Sequence, residues 1–239
     1  MTDNLYDRRS EWFVPKFGPT RFRLIAGLLF LPYTGMVLSF TVIGSILAVP
    51  IHYDRILAIV VIYFLGLGLG AHALDALGSQ GLKPWGRVLR RSHLWIMAIS
   101  SLALAYLIAT YYIVRYAPLL AVIAVLEGFF VFAYNLEWFH GRFHTDGWFA
   151  FSWGFLPVLA GTLIQTNRIS MGAMALGVSM GLFSLVEIKA SRPYRSLRKV
   201  LNPSPEEHSL VMRYEAILKG ISLGVMLLGG GLLLWRMGR

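Results

Sequence analysis

The sequence predicts an all-α fold, a polytopic bundle of about seven membrane-spanning helices. Hydrophobic residues make up 56% of the chain and charged residues only 14%, whereas a soluble domain carries roughly 25% charged residues. The mean hydropathy is +0.62, and the apolar runs are long enough to cross a bilayer. We therefore expect an integral protein of the inner, cytoplasmic membrane. Basic cytoplasmic loops explain the net charge of +10, so no nucleic-acid partner is expected.

Two parts of the chain differ in composition. Residues 1–22 are predicted to form a basic cytoplasmic segment, and residues 23–239 a single transmembrane helical domain. Pro32 predicts a kink in the first span, and Ser204 with Glu207 predicts a capping box at the start of the last helix. The predicted spans are residues 24–50, 56–79, 93–113, 117–136, 147–165, 169–187 and 212–235.

Lysine and arginine are unevenly distributed between the two sides of the predicted bundle. Most of the 22 basic residues lie in the N-terminal segment and in the loops after the second, fourth and sixth spans. The positive-inside rule then places the N-terminus in the cytoplasm and the C-terminus across the membrane. Function is expected at a cavity on the cytoplasmic side, because the titratable residues cluster at that end: His72, Asp75, Glu137, His140, His144, Asp146 and Glu187.

Residues 134–146, YNLEWFHGRFHTD, join the fourth and fifth spans. Glu137 and His140 are three residues apart, so they share a face if the fourth helix continues, and the same spacing relates His72 to Asp75. We predict that these four side chains converge on one ion or water cluster and are the catalytic residues. The alternative is an aromatic loop at the membrane interface, in which the charges are simply solvated. Its anchors would be Trp138, Phe139 and Phe143.

Two features lie within the predicted spans themselves. Glu127 is predicted to be an uncharged residue that faces protein, because an ionised carboxylate in the membrane costs roughly several kcal/mol. Gly66 and Gly70 are four residues apart, a spacing that favours close packing between membrane helices.

The segment GWFAFSWGFLPVLAGTLIQT, residues 147–166, resembles the fifth-helix region of the UbiA superfamily of membrane prenyltransferases. Gly154, Gly161, Gln165 and Thr166 carry this resemblance, which is greatest to the branch acting on 1,4-dihydroxy-2-naphthoate. Residues 62–91 are similar too, with an apolar helix, an aspartate at its end and the basic loop KPWGR. The resemblance covers about residues 20–200. It implies a prenyl diphosphate substrate and Mg²⁺, with Lys83, Arg87, Arg192, Arg195 and Gln165 binding the substrate.

The chain also departs from the pattern of that family. Where the family carries an NDxxDxxxD-type motif, only Asp75 is a carboxylate here, and His72 stands in place of an aspartate. In place of the second DxxxD motif the chain has VEIKASRPYRSLR, with Glu187 as its carboxylate. The family usually has nine helices, and the hydropathy of this chain predicts seven. Replacing aspartate by histidine favours binding of Fe, Mn or Zn over Mg²⁺. The candidate metal ligands are Asp75, His72, Glu137, His140, His144 and Glu187.

Three functions are compatible with these residues. The first is a UbiA-like enzyme acting on an isoprenoid or other lipidic substrate, with a reduced site for a divalent metal and a diphosphate. The second is a UbiA-like scaffold rebuilt around a transition metal, as a lipid oxidase, desaturase or cyclase. The third is a non-catalytic protein that binds membrane lipid or pigment as a subunit of a larger membrane complex.

Overall fold

The computed structural model describes residues 11–78, 89–200 and 202–238, and within these ranges the chain forms helices and no strand. Apolar runs bounded by glycine, proline and polar residues define the helices. We number them in chain order: α1 Thr20–Leu28, α2 Leu31–Ser45, α3 Tyr53–Gly78, α4 Arg91–Arg115, α5 Leu120–Asn135, α6 Asp146–Thr166, α7 Met171–Leu197 and α8 Pro205–Met237.

Within the described parts of the chain, five helices are long and apolar enough to cross a membrane: α3, α4, α6, α7 and α8. The bent pair α1 and α2 makes a sixth if it is counted as one span. The predicted count of seven is not confirmed, because α5 has 16 residues. At 1.5 Å per residue it is roughly 24 Å long, which is shorter than a hydrocarbon core of about 30 Å.

The predicted kink in the first span is confirmed as a bend of 42° between α1 and α2. Phe30 adopts a left-handed backbone conformation at the bend, with φ 44° and ψ 51°, and Pro32 lies in the first turn of α2. A proline is tolerated there because its missing N–H would be unsatisfied in any case. The buried Phe30 ring stacks on Phe13 at 4.9 Å and lies 5.0 Å from the His72 ring.

Three predicted boundaries can be compared with the structure. Helix α1 begins at Thr20, inside the segment predicted to be a basic arm, and Phe13 and Val14 of that segment are buried. Helix α7 runs on to Leu197, beyond the predicted end at residue 187. The polar residues of this extension need not lie in lipid, and a helix can continue past the membrane. The capping box at Ser204 is confirmed.

Helix α2 packs against both α6 and α8 and so lies centrally in the bundle. Its crossing with α6 is close because Gly44 and Gly161 face backbone of the opposite helix. Two reciprocal hydrogen bonds join the helices there: Ser45 Oγ donates to the Gly161 carbonyl at 3.1 Å, and Thr162 Oγ1 donates to the Gly44 carbonyl at 3.0 Å. Small residues with hydroxyl hydrogen bonds are a common means of joining membrane helices.

Candidate functional site

Polar side chains collect at the end of the bundle where α3 and α5 finish and where α7 carries its last turns. We call this region the polar end. It comprises Tyr33, Asp75, Tyr134, Glu187, Ser191, Arg192 and Arg195.

One stripe of α7 faces Tyr33 of α2. Glu187, Ser191 and Arg195 follow one another at intervals of four residues, so they lie on one helix face. The Tyr33 hydroxyl is hydrogen-bonded to Ser191 and lies within electrostatic range of both Glu187 and Arg195. Glu187 is only 5% exposed, and Arg195 supplies a positive charge near it. The charge of Arg195 therefore offsets only part of the cost of ionising this buried carboxyl group.

Tyr134 connects this stripe to α3. Arg192 is hydrogen-bonded to the Tyr134 hydroxyl, and both Arg195 and Asp75 lie within electrostatic range of it. The Tyr134 ring packs on Trp153 of α6, with the ring centroids 5.0 Å apart. The structure thus brings four predicted site residues to one end of the bundle: Asp75, Glu187, Arg192 and Arg195.

Asp146 and His144 fix the position of Arg192. Arg192 Nε lies 2.9 Å from Asp146 Oδ1, and Arg192 Nη2 donates to the His144 carbonyl at 3.3 Å. The His144 ring stacks on Tyr134 at 4.4 Å, and its Nδ1 lies 3.0 Å from the Tyr134 carbonyl oxygen. Both side chains of the Arg192–Asp146 ion pair are partly exposed, so we assign it about 1 kcal/mol at most. Its main effect is to orient Arg192.

Glu137 and His140 do not share a helix face, so this part of the sequence prediction is wrong. Helix α5 ends at Asn135, and Glu137, Phe139 and His140 all have positive φ values, of 53°, 56° and 57°. Both Glu137 and His140 are exposed. Coordination of a metal by these residues stays a prediction. It can no longer be argued from a helix that carries both side chains on one face.

Aromatic packing explains why α5 stops where it does. Trp138 stacks on Phe132 with the rings 17° from parallel, and Phe143 packs edge-on against Phe129 at 4.9 Å. These contacts require the chain to fold back over the last turns of α5. Phe139 stays 60% exposed, as expected of an aromatic anchor at a membrane interface. The alternative interpretation is therefore met in part: Glu137 and His140 are exposed, whereas Trp138 and Phe143 pack on α5 and Asp146 pairs with Arg192.

His72 lies beside the bend between α1 and α2. Its Nδ1 is 2.9 Å from the Gly68 carbonyl oxygen, one turn earlier on α3, and its ring packs on Phe30. These contacts give His72 a packing role. A catalytic or metal-binding role for it stays a prediction.

Gln165 lies at the opposite end of the bundle from Asp75. Its Oε1 accepts from the His52 backbone N–H at 2.9 Å, and its Nε2 donates to the His52 carbonyl at 2.8 Å. Arg55 Nη1 also donates to the Gln165 carbonyl at 2.9 Å and so caps α6. These bonds join α6 to the start of α3. They give Gln165 a structural role at this end of the bundle. Its predicted role in substrate binding would require it to lie at the polar end instead.

Two further predictions concern metals and phosphate. Among the described residues, no three histidine, aspartate or glutamate side chains form a group that could hold a metal ion. Lys83 and Arg87, predicted to bind phosphate, lie outside the described residues.

Tyr33, Tyr134 and Ser191 were not predicted as site residues. Ser191 could have been found from its spacing, since it lies midway between Glu187 and Arg195, but only if α7 had been extended past residue 187. Tyr33 and Tyr134 carry no such signal, because an aromatic residue at a helix end is usually a packing or interfacial residue.

Comparison of the chain with family models, with curated proteins and with solved structures finds no match in any of the three. The resemblance to the UbiA superfamily therefore stays a prediction.

Proposed function

We propose that this chain binds an isoprenoid or another lipid by its anionic head group at the polar end, and acts on it as a prenyltransferase-like membrane enzyme. The observation that carries the proposal is the position of Tyr134, which lies within reach of Asp75 on α3 and of Arg192 and Arg195 on α7. One carboxylate from α3 and two guanidinium groups from α7 thereby lie within electrostatic range of one tyrosine hydroxyl.

Arginine side chains are well suited to hold a diphosphate. The guanidinium group presents a rigid fork of donors that matches phosphate oxygens, and it remains charged when partly buried. Arg192 and Arg195 are both half-buried. Solvent would therefore screen their attraction to a bound anion less than at an exposed site.

Asp75 and Glu187 are the carboxylates that would hold a Mg²⁺ ion. Mg²⁺ is often bound through one or two carboxylates together with substrate phosphates and water, so either carboxylate, or both, would suit that donor set. A bound Mg²⁺ would neutralise charge on the diphosphate. The chain's own groups would orient the head group: Arg192 and Arg195 by hydrogen bonds, and Tyr134 through its hydroxyl.

Binding of a prenyl diphosphate to the purified chain, compared with the prenyl alcohol of the same length, tests this proposal. We expect the diphosphate to bind more tightly than the alcohol, and Arg195→Gln to weaken diphosphate binding by about tenfold or more, because a charge-assisted hydrogen bond is lost. Binding of the alcohol should change little. Mg²⁺ should strengthen diphosphate binding in the wild type, and that gain should vanish in Asp75→Asn.

Arg168→Gln is the matched control, because Arg168 is an exposed arginine that follows α6 at the end opposite the polar end. Equal affinities for the diphosphate and the alcohol would contradict the proposal. So would a loss of diphosphate binding in Arg168→Gln as large as that in Arg195→Gln.

A further inference from the structure

A cavity separate from the polar end lies between α3, α4 and α5. It has a volume of about 60 Å³ and is open on one side, and none of the residues that define the polar end lines it. A space of this size takes a small group such as a carbonyl, whereas a whole small-molecule site measures roughly 300–1,000 Å³, so the rest of a longer molecule would lie outside the open mouth. Small side chains create much of the space. The wall includes Gly66, Leu67, Ala105, Ile123, Glu127 and Ala160.

The helix that forms one wall of the cavity has irregular geometry. Residues Phe64–Ala71 of α3 are π-helical, and such wide turns occur frequently at functional sites. Gly66, predicted to pack closely against another helix, has no atom within 4 Å of the position of a Cβ, whereas Gly70 would meet Leu102 at 3.0 Å. The predicted packing face is therefore present at Gly70, and Gly66 borders open space instead.

Glu127 belongs to the cavity wall, and one of its two carboxyl oxygens lacks a hydrogen-bond partner among the described residues. The Tyr63 hydroxyl donates to Glu127 Oε1 at 2.8 Å, so Glu127 contacts protein as predicted. Its Oε2 is buried without a hydrogen-bond partner among the described residues. The Tyr106 hydroxyl, also in the wall, donates to the Ala124 carbonyl at 2.6 Å. A buried polar atom without a partner is uncommon and costs roughly 1–3 kcal/mol.

We propose that this cavity binds an apolar molecule carrying a carbonyl oxygen, which accepts a hydrogen bond from Glu127. A carboxyl group surrounded by apolar side chains inside a membrane is expected to be neutral. Its Oε1 accepts from Tyr63, so Oε2 carries the proton and requires an acceptor. A carbonyl oxygen accepts without donating. Oε2 itself is buried, and a small rotation about the last torsion of the glutamate side chain, which is soft, would expose it to the cavity while Oε1 keeps the Tyr63 hydroxyl.

The test uses a long-chain methyl ketone and the alkane of the same length as labelled probes. Binding is measured on the full chain in a maltoside detergent, which contains no carbonyl group. The wild type is expected to hold the ketone about fivefold to tenfold more tightly than the alkane, as one net hydrogen bond allows. Glu127→Gln should keep this preference, because its amide offers an oxygen to Tyr63 and an N–H to the ketone.

Two variants separate the hydrogen bond from the cavity. The pair Tyr63→Phe with Glu127→Leu removes both hydrogen-bond partners together, so that neither is left unsatisfied, and should abolish the preference for the ketone. Gly66→Leu should weaken the binding of both probes, because the leucine side chain enters open space and fills the cavity.

Equal binding of the two probes to the wild type would overturn the proposal, since the cavity would then accept hydrocarbon chains of any kind. A ketone preference that survives in the double variant would also overturn it. So would a wild type that self-associates through this face and becomes monomeric on Gly66→Leu. None of these outcomes depends on whether the polar end binds a diphosphate.

Discussion

Replacing Gly161 by alanine is expected to lower the free energy of unfolding of this chain by about 3 kcal/mol or more. A Cβ at Gly161 would overlap the carbonyl oxygen of Thr41 on α2. That oxygen belongs to the backbone of a helix and cannot rotate away as a side chain can, so α2 and α6 must separate. Overpacking of a core typically costs about 1–3 kcal/mol, and separation also lengthens the hydrogen bonds of Ser45 and Thr162. Thermal unfolding in detergent, followed by size-exclusion chromatography, measures the effect.

Gly224→Ala is the control for this substitution. Gly224 lies in α8 with no atom within 4 Å of the position of a Cβ, so alanine there should gain up to about 1 kcal/mol from its higher helix propensity. Equal melting temperatures of Gly161→Ala and Gly224→Ala would contradict the close crossing of α2 and α6.

Arg195→Gln is expected to destabilise the chain by about 2 kcal/mol, and Glu187→Gln in the same chain to restore most of the loss. Arg195 lies within electrostatic range of the buried Glu187 carboxyl but forms no direct ion pair with it, so we expect less than the roughly 3–5 kcal/mol lost when one member of a contacting buried pair is removed. Removing both charges leaves no such penalty. A double-mutant cycle of unfolding free energies measures the coupling.

Lys219→Gln provides the comparison for that cycle. Lys219 Nζ lies 2.6 Å from Glu215 Oε1 one turn away on α8, and the pair is partly exposed, so it should contribute no more than about 0.5 kcal/mol. Strictly additive effects of Arg195→Gln and Glu187→Gln would show that the two charges do not interact, and the description of the polar end would then fail.

The helical fold could be predicted because it follows from hydropathy alone. Long apolar runs mark α3, α4, α6, α7 and α8, and proline and serine mark the starts of α2 and α8. What could not be predicted is where a helix ends when polar residues follow it. Helix α7 continues through Pro193 into the basic stretch, whereas α5 stops at Asn135 because aromatic residues fold back onto it. Both outcomes depend on tertiary contacts.

The candidate site was therefore predicted in part. Asp75, Glu187, Arg192 and Arg195 lie at one end of the bundle because α3 and α7 both end there, and Tyr33 and Tyr134 lie within electrostatic range of them. Glu137 and His140 were predicted to belong to the same site because their spacing suits a helix, but the helix ends at residue 135. Tyr134, which connects the two helices, was missed because a tyrosine hydroxyl gives no spacing pattern in a sequence.

A structure of the chain with a bound, non-hydrolysable prenyl thiolodiphosphate would test the central claim most directly. The account predicts that the diphosphate lies at the polar end, with its oxygens within hydrogen-bonding distance of the Arg195 or Arg192 guanidinium group. A diphosphate bound instead at the opposite end, near Gln165 and Arg55, or a prenyl chain held with its head group outside the polar end, would contradict the account.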